Sequence, residues 1–118
     1  MARSVPAASD ARESEILSQV LREIGSRTDA RLWRSNTGVA TYGTTKVRYG
    51  LPGSADLTGV LHDSKRIEIE VKSATGRQSA QQLAFQAMIE RFNGIYILAR
   101  SAEDALKQLR NKGYCNAP

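Results

Sequence analysis

Apolar residues first recur at helical spacing near the start of the chain: Ile16, Leu17, Val20, Leu21 and Ile24 fall on one stripe. Asp10 with Glu13 three residues later fits a capping box, and Gly25 supplies a stop, so the pattern predicts a helix over 10–25. Arg31 to Arg34 reads as a short strand, and a segment rich in Gly, Thr and Tyr fills 35–55. Alternation of apolar and polar residues then predicts strands over 56–61 and 66–73, joined through His62-Asp63-Ser64-Lys65 as an antiparallel hairpin. Ser79 and Gln82 form a second capping box, ahead of a helix whose expected apolar stripe is Leu83, Ala84, Ala87, Met88 and Phe92; Asn93-Gly94 ends it. The run Ile95 to Ala99 is apolar almost throughout, the mark of a strand buried on both faces, and Ser101 caps a last helix to about 112.

These elements run α-β-β-β-α-β-α. A helix crossing from strand 66–73 to strand 95–99 implies a parallel pair, so the expected class is α/β, a mixed central sheet with helices against both faces. A chain of 118 residues accommodates one domain, expected over 9–113, with a flexible tail at 1–8 and a second tail at 114–118.

Charge narrows the partners. Lys and Arg number 17 against 12 Asp and Glu, a net charge of +5 that favours polyanions. Nucleic acid stands ahead of membranes, because neither a basic amphipathic anchor nor a long apolar run is present. The single cysteine, Cys115, allows neither an internal disulfide nor a cysteine-based zinc site, and the N-terminal stretch lacks the apolar core of a signal peptide. The expected location is cytoplasmic.

If strands 56–61 and 66–72 pair across their turn, Asp56 meets Glu70 and Lys72 at the far end of the hairpin. Hard oxygen ligands with no His or Cys beside them suit Mg2+ or Mn2+, and the backbone carbonyl of Val71 is placed to add a third protein ligand. Such an ion acidifies water, and Lys72 beside it offers a group to draw off the proton, which makes phosphodiester hydrolysis the matching reaction class. The competing reading is a solvated edge, since Ile alternating with charge is what any half-buried strand shows.

Order along the chain adds to this. "LWRSNTG" at 32–38, "GSADLTGV" at 53–60 and "EVKSATGRQSAQQ" at 70–82 resemble the PD-(D/E)XK nuclease superfamily and, within it, the small VRR-NUC family. The resemblance runs from Glu13 to Arg100 and implies a restriction-endonuclease-like core. It implies that Asp56 and Glu70 bind the catalytic metal, that Lys72 positions or activates the water, and that Gln82 touches the metal-site network or the substrate. One position departs: Ala55 stands where the family often has Pro before the metal-binding Asp.

Several residues carry two readings. Glu13 lies at the centre of the first helix's apolar stripe, either as an active-site carboxylate or as the reach-back partner of Asp10. Gln82 is either a site residue or a cap partner of Ser79, and Glu68 reads as a solvated or paired bystander. Arg34, Lys46, Arg48 and Tyr49, with Trp33 and Tyr42, lie in a stretch from 30 to 55 that holds four basic residues and no acid. They suit phosphate contacts and stacking on unpaired bases, as Arg77 suits a phosphate contact beyond the second strand; the plainer reading makes Trp33 core and the rest an ordinary hairpin. His62 reads as a surface turn residue.

The functions in competition are a metal-dependent DNA endonuclease, plausible on branched substrates, and a non-catalytic nucleic-acid-binding module on the same fold. A four-way-junction resolvase would need two active sites and hence a homodimer.

Overall fold

The computed structural model describes residues 8–35 and 38–116, with side chains from Arg12 onward. The tail expected at 1–8 therefore lies outside the described residues except for Ala8, and so does the Asp10 side chain of the expected capping box. The elements are α1 (Ala8–Ile24), β1 (Ala30–Arg34), β2 (Gly38–Tyr42), β3 (Thr45–Tyr49), β4 (Leu57–Leu61), β5 (Arg66–Val71), α2 (Ala80–Arg91), β6 (Ile95–Ala99) and α3 (Ala102–Asn111).

The fold is α/β, with a four-stranded mixed sheet in the order β1-β4-β5-β6. Neighbours are antiparallel except the parallel pair β5–β6, which α2 connects. The segment 35–55 adds two strands that the alternation did not resolve: β2 and β3 pair with each other as a separate hairpin. Its β3 residues are all exposed, so no buried face imposes a clean period of two on that sequence.

Pleating divides the sheet's side chains between two cores. Ile67, Ile69, Val71, Leu57, Ile97 and Ala99 face α1 and α3, where Ile16, Val20, Ile24, Ala105 and Leu109 meet them. The opposite face is smaller: Tyr96 and Ala55 pack beneath Phe85 and Ile89 of α2. Ala55, in the position where a proline stood in the resembled pattern, is thus a small residue under a helix.

The expected stripe on α2 needs correction. Phe85 and Ile89 are buried and Met88 is partly so, whereas Leu83, Ala84, Ala87 and Phe92 are exposed. Positions 82, 85, 86 and 89 form the inward stripe, and its polar members decide the rotation. Gln82 reaches Glu70, while Gln86 accepts from Gln78, which also donates to Tyr96 Oη. Trp33 is likewise not core, being 50% exposed.

The expected C-terminal tail is also revised for its described part. Tyr114 and Cys115 are buried, Cys115 N donates to Asp29 Oδ2 at 2.7 Å, and Tyr114 Oη donates to Asp63 Oδ2 at 2.5 Å. The apolar bodies of two residues and two carboxylate anchors outweigh the polar, Pro-ended look of the sequence.

Gly53 fixes the approach of the hairpin's return to α2. Its φ is +77°, and a Cβ there would lie 2.2 Å from the Gln81 carbonyl oxygen. Gly53→Ala should destabilise the protein by about 1–3 kcal/mol, read as a lower thermal midpoint, because both backbone strain and the push against the first turn of α2 act together. An unchanged midpoint would show that this contact gives way freely.

Candidate active site

The carboxyl ends of β5 and β6 are where an open sheet with a parallel pair leaves a crevice. Leu57 pairs with Ile69, so Asp56, one residue ahead of β4, comes opposite Glu70. Asp56 Oδ2 accepts a hydrogen bond from Val71 N at 2.7 Å. The N–H and C=O of one strand residue point to the same side, so the Val71 carbonyl also faces Asp56; the next residue turns the other way, Lys72 N donating to Ala99 O at 3.0 Å.

Glu70 is buried, 3% exposed, on the face that α2 covers. Its Oε2 accepts from Gln82 Nε2 at 2.9 Å and lies 3.6 Å from Lys72 Nζ. Its Oε1 is buried and receives no hydrogen bond from an N–H or hydroxyl donor; the other polar group in contact with this carboxyl is Asp56. Burial and then the Asp56 carboxylate push the Glu70 carboxyl up to about 7, against the pull of Lys72. Burial also raises Asp56, opposed by the Val71 N–H and reinforced by Glu13. The solvated-edge reading of this strand face therefore does not describe the molecule: Glu70 is buried under α2, and the neighbouring Asp56 charge disfavours its ionised form.

Gln82 fulfils both of its readings at once. Its Oε1 accepts from Ser79 N at 2.9 Å and its own N donates to Ser79 Oγ at 3.1 Å, completing the capping box, while its Nε2 holds Glu70. Glu13 is turned inward: its Oε2 accepts from Ser73 N at 3.2 Å. It lines an open cleft of about 350 Å³ with Ser14, Leu17, Ser18, Arg34, Asp56 and Val71. Glu68 is the paired bystander of its two expected readings, though buried: Arg66 Nε ion-pairs with its Oε2 at 2.8 Å, and the Thr58 hydroxyl donates to the same oxygen.

Arg34 stands at the cleft, and Ser35 N donates to Asp56 O at 2.9 Å, so the chain leaves for the β2–β3 hairpin beside the acids and returns to them at Asp56. Lys46, Arg48 and Tyr49 are exposed on β3, and Arg77 is exposed on the loop between β5 and α2. His62 is exposed in the β4–β5 turn, its ring edge-on to Tyr114, away from the acids.

The donor set suits a hard divalent cation. Asp56, Glu70 and the Val71 carbonyl are all oxygen, and the orphaned Glu70 Oε1 is a buried acceptor lacking a cation or donor. Among the described residues no three His, Cys, Asp or Glu side chains form a metal cage by themselves. A cation held here would keep several waters, as Mg2+ does.

Sequence reasoning missed Ser73, whose buried backbone N–H anchors Glu13, and Gln78, which braces Tyr96 under α2. Neither belongs to a residue type or spacing that stands out before the strand end and the helix rotation are known. Scanned against protein-family models the chain matches none, and a search of curated protein sequences finds no match.

Proposed function

We propose that the chain is a divalent-metal-dependent nuclease with a restriction-endonuclease-like core of the PD-(D/E)XK kind, close to the VRR-NUC pattern, and that it hydrolyses DNA phosphodiester bonds. The observation that carries this reading is Glu70: a carboxylate buried against Asp56 and Lys72, with one oxygen left unpartnered. A purely structural acid would be expected to satisfy both oxygens or to be replaced by an apolar residue at lower cost.

Asp56, Glu70 and the Val71 carbonyl would hold Mg2+ or Mn2+, which supplies Lewis-acid polarisation of the phosphate and counter-charge as negative charge develops. Lys72, 3.6 Å from Glu70, would offer its amino group to the attacking water and to a phosphate oxygen beside the acids. Gln82 holds Glu70 by one oxygen and leaves the other for the cation. Glu13 borders the same cleft and adds negative charge next to Asp56. Arg34 at the cleft and Arg77 beyond β5 suit phosphates on either side of the scissile bond.

The test is incubation with linear, flapped and four-way-junction DNA in Mg2+, Mn2+ or EDTA. Cleavage in either metal and none in EDTA is expected. Salt-dependent binding without cleavage on any substrate would replace the nuclease with the binding module. Paired cuts across a four-way junction would in addition require a homodimer.

Lys46 and Arg48 share one face of the hairpin, and neither is paired with an acid among the described residues. Changing both to Ala should weaken DNA binding on all sequences alike and reduce the slope of log affinity against log salt by about 2, measured by fluorescence anisotropy in EDTA. An unaltered slope would remove the hairpin from the interface.

A further inference from the structure

The turn after β5 is tied down from the far side by a residue outside the acidic cluster. Arg100 follows β6 directly, and its Nη1 donates to the Ser73 carbonyl at 2.5 Å and to the Gly76 carbonyl at 2.8 Å. Its own backbone N–H is held by Asp104 Oδ2 at 3.0 Å, in the first turn of α3. A guanidinium thus spans both ends of the turn 73–76.

That turn touches the proposed site twice. Ser73 N donates to Glu13 Oε2 at 3.2 Å, and Gly76 N closes the turn onto Ser73 Oγ at 3.1 Å. Gly76 is so close to the site residues that a Cβ on it would lie 3.3 Å from Glu13 Oε2 and 3.3 Å from Lys72 Cδ. The turn therefore sets where the Lys72 stem can lie and which way the Ser73 N–H points at Glu13. Free of Arg100, the Gly76 carbonyl loses its donor and the Ser73 carbonyl keeps only Gly76 N at 3.2 Å, so the turn is left with its own closure and the single bond from Ser73 N to Glu13.

We infer that Arg100 is a positioning residue for the proposed hydrolysis: by clamping the Ser73 and Gly76 carbonyls it holds the turn that sets Lys72 and Glu13. This inference rests on the nuclease reading for its kinetic consequence, and on geometry alone for the clamp. Positioning of a reacting group by another residue is worth up to about 100-fold in rate when roughly 1 Å of placement is lost. Both bonds leave one nitrogen, Nη1, and a Lys ammonium ends one bond nearer the backbone without the planar group that holds Nη1 in place, so it keeps only part of the clamp.

The experiment compares the wild type, Arg100→Ala and Arg100→Lys in steady-state DNA cleavage, with amide hydrogen exchange measured by NMR on the same proteins. Arg100→Ala should lower kcat by 10-fold to 100-fold, by order of magnitude, while KM for DNA stays within about 2-fold, and Arg100→Lys should fall between. Millimolar guanidinium ion should recover part of the Arg100→Ala rate, a result that general destabilisation would not give. Exchange of the Ser73 and Gly76 amides should speed up in Arg100→Ala, with the β5 amides of Ile67 and Ile69 remaining protected. Wild-type kcat in Arg100→Ala, or a loss that guanidinium does not repair and that spreads to the β5 amides, overturns the inference. A wild type that cleaves nothing in Mg2+ or Mn2+ sinks the nuclease reading instead, and unchanged exchange at Ser73 and Gly76 then sinks the clamp as well.

Discussion

Lys72→Ala and Asp56→Asn should each lower metal-dependent cleavage by about 1,000-fold or more, and they should move stability in opposite directions. On the proposed reading the rate loss has two sources: Lys72 brings a cationic group within 3.6 Å of the buried Glu70, and Asp56 would supply one of two carboxylates for the cation. Stability separates the two because of charge. The Asp56 charge disfavours ionised Glu70 in the metal-free protein, so a neutral amide at position 56 relieves that repulsion at a pH where both acids are ionised, and its oxygen can still accept from Val71 N. Asp56→Asn is therefore expected to melt higher than wild type in EDTA at pH 8. Lys72→Ala withdraws the attraction that favours ionised Glu70 and should melt lower under the same conditions. Differential scanning fluorimetry beside a cleavage assay reads both. If either variant cleaved at the wild-type rate, the assignment of that residue would fall. If Asp56→Asn melted lower, the repulsion between the acids would not be what the geometry indicates.

Periodicity made the main sheet and its helices legible because each element there has a buried face. Ile67, Ile69 and Val71 alternate with Glu68, Glu70 and Lys72, and the pleat keeps that alternation; Ile16, Val20 and Ile24 repeat as a helix inside the larger core. The pairing of Asp56 with Glu70 followed from the hairpin, since a tight turn at 62–65 fixes the register. What stayed hidden depended on contacts between elements. The sequence of α2 has small or apolar residues on nearly every side, so the hydrophobic pattern alone could not choose its rotation, and the polar contacts of Gln82 and Gln86 did. Burial of Glu68 was equally unreadable, because its ion-pair partner Arg66 and its hydroxyl donor Thr58 sit on the same strand and the neighbouring one in positions that any exposed pair occupies. The hairpin β2–β3 was legible only as the plainer reading of its basic stretch, without strand bounds, because none of its residues is buried to impose a period and Gly38, Gly43 and Gly50 read as loop. Arg100 illustrates the general limit: a side chain that acts by bonding two backbone carbonyls leaves no mark in the spacing of side chains.

Stability of the metal-free protein should fall as pH rises from about 5 to about 7, and added Mg2+ or Mn2+ should reverse the fall. Glu70 titrates near 7 in the folded chain, above its ordinary value of 4.5, first because of burial and then because of Asp56. Between those two values the folded state holds a proton that the unfolded state has released, so each rise in pH across the window favours unfolding. The contribution is fully present below about 4.5 and is lost above about 7, with a slope of up to about 1 kcal/mol per pH unit from this one group. Other groups titrate in the same range, and Glu70→Gln removes this one from the comparison: the amide mimics the neutral acid at every pH. In EDTA the variant should match wild type at pH 5 and exceed it at pH 8, by urea denaturation. If Glu70 holds a divalent cation as proposed, the cation must displace its proton to bind, so stabilisation of wild type should grow from pH 5 to pH 8 and be largely absent in Glu70→Gln. Parallel pH profiles for the two proteins would mean that Glu70 ionises normally in the fold. Equal metal stabilisation of both would place the cation elsewhere, because the oxygen left unpartnered inside the protein would then have no part in holding it.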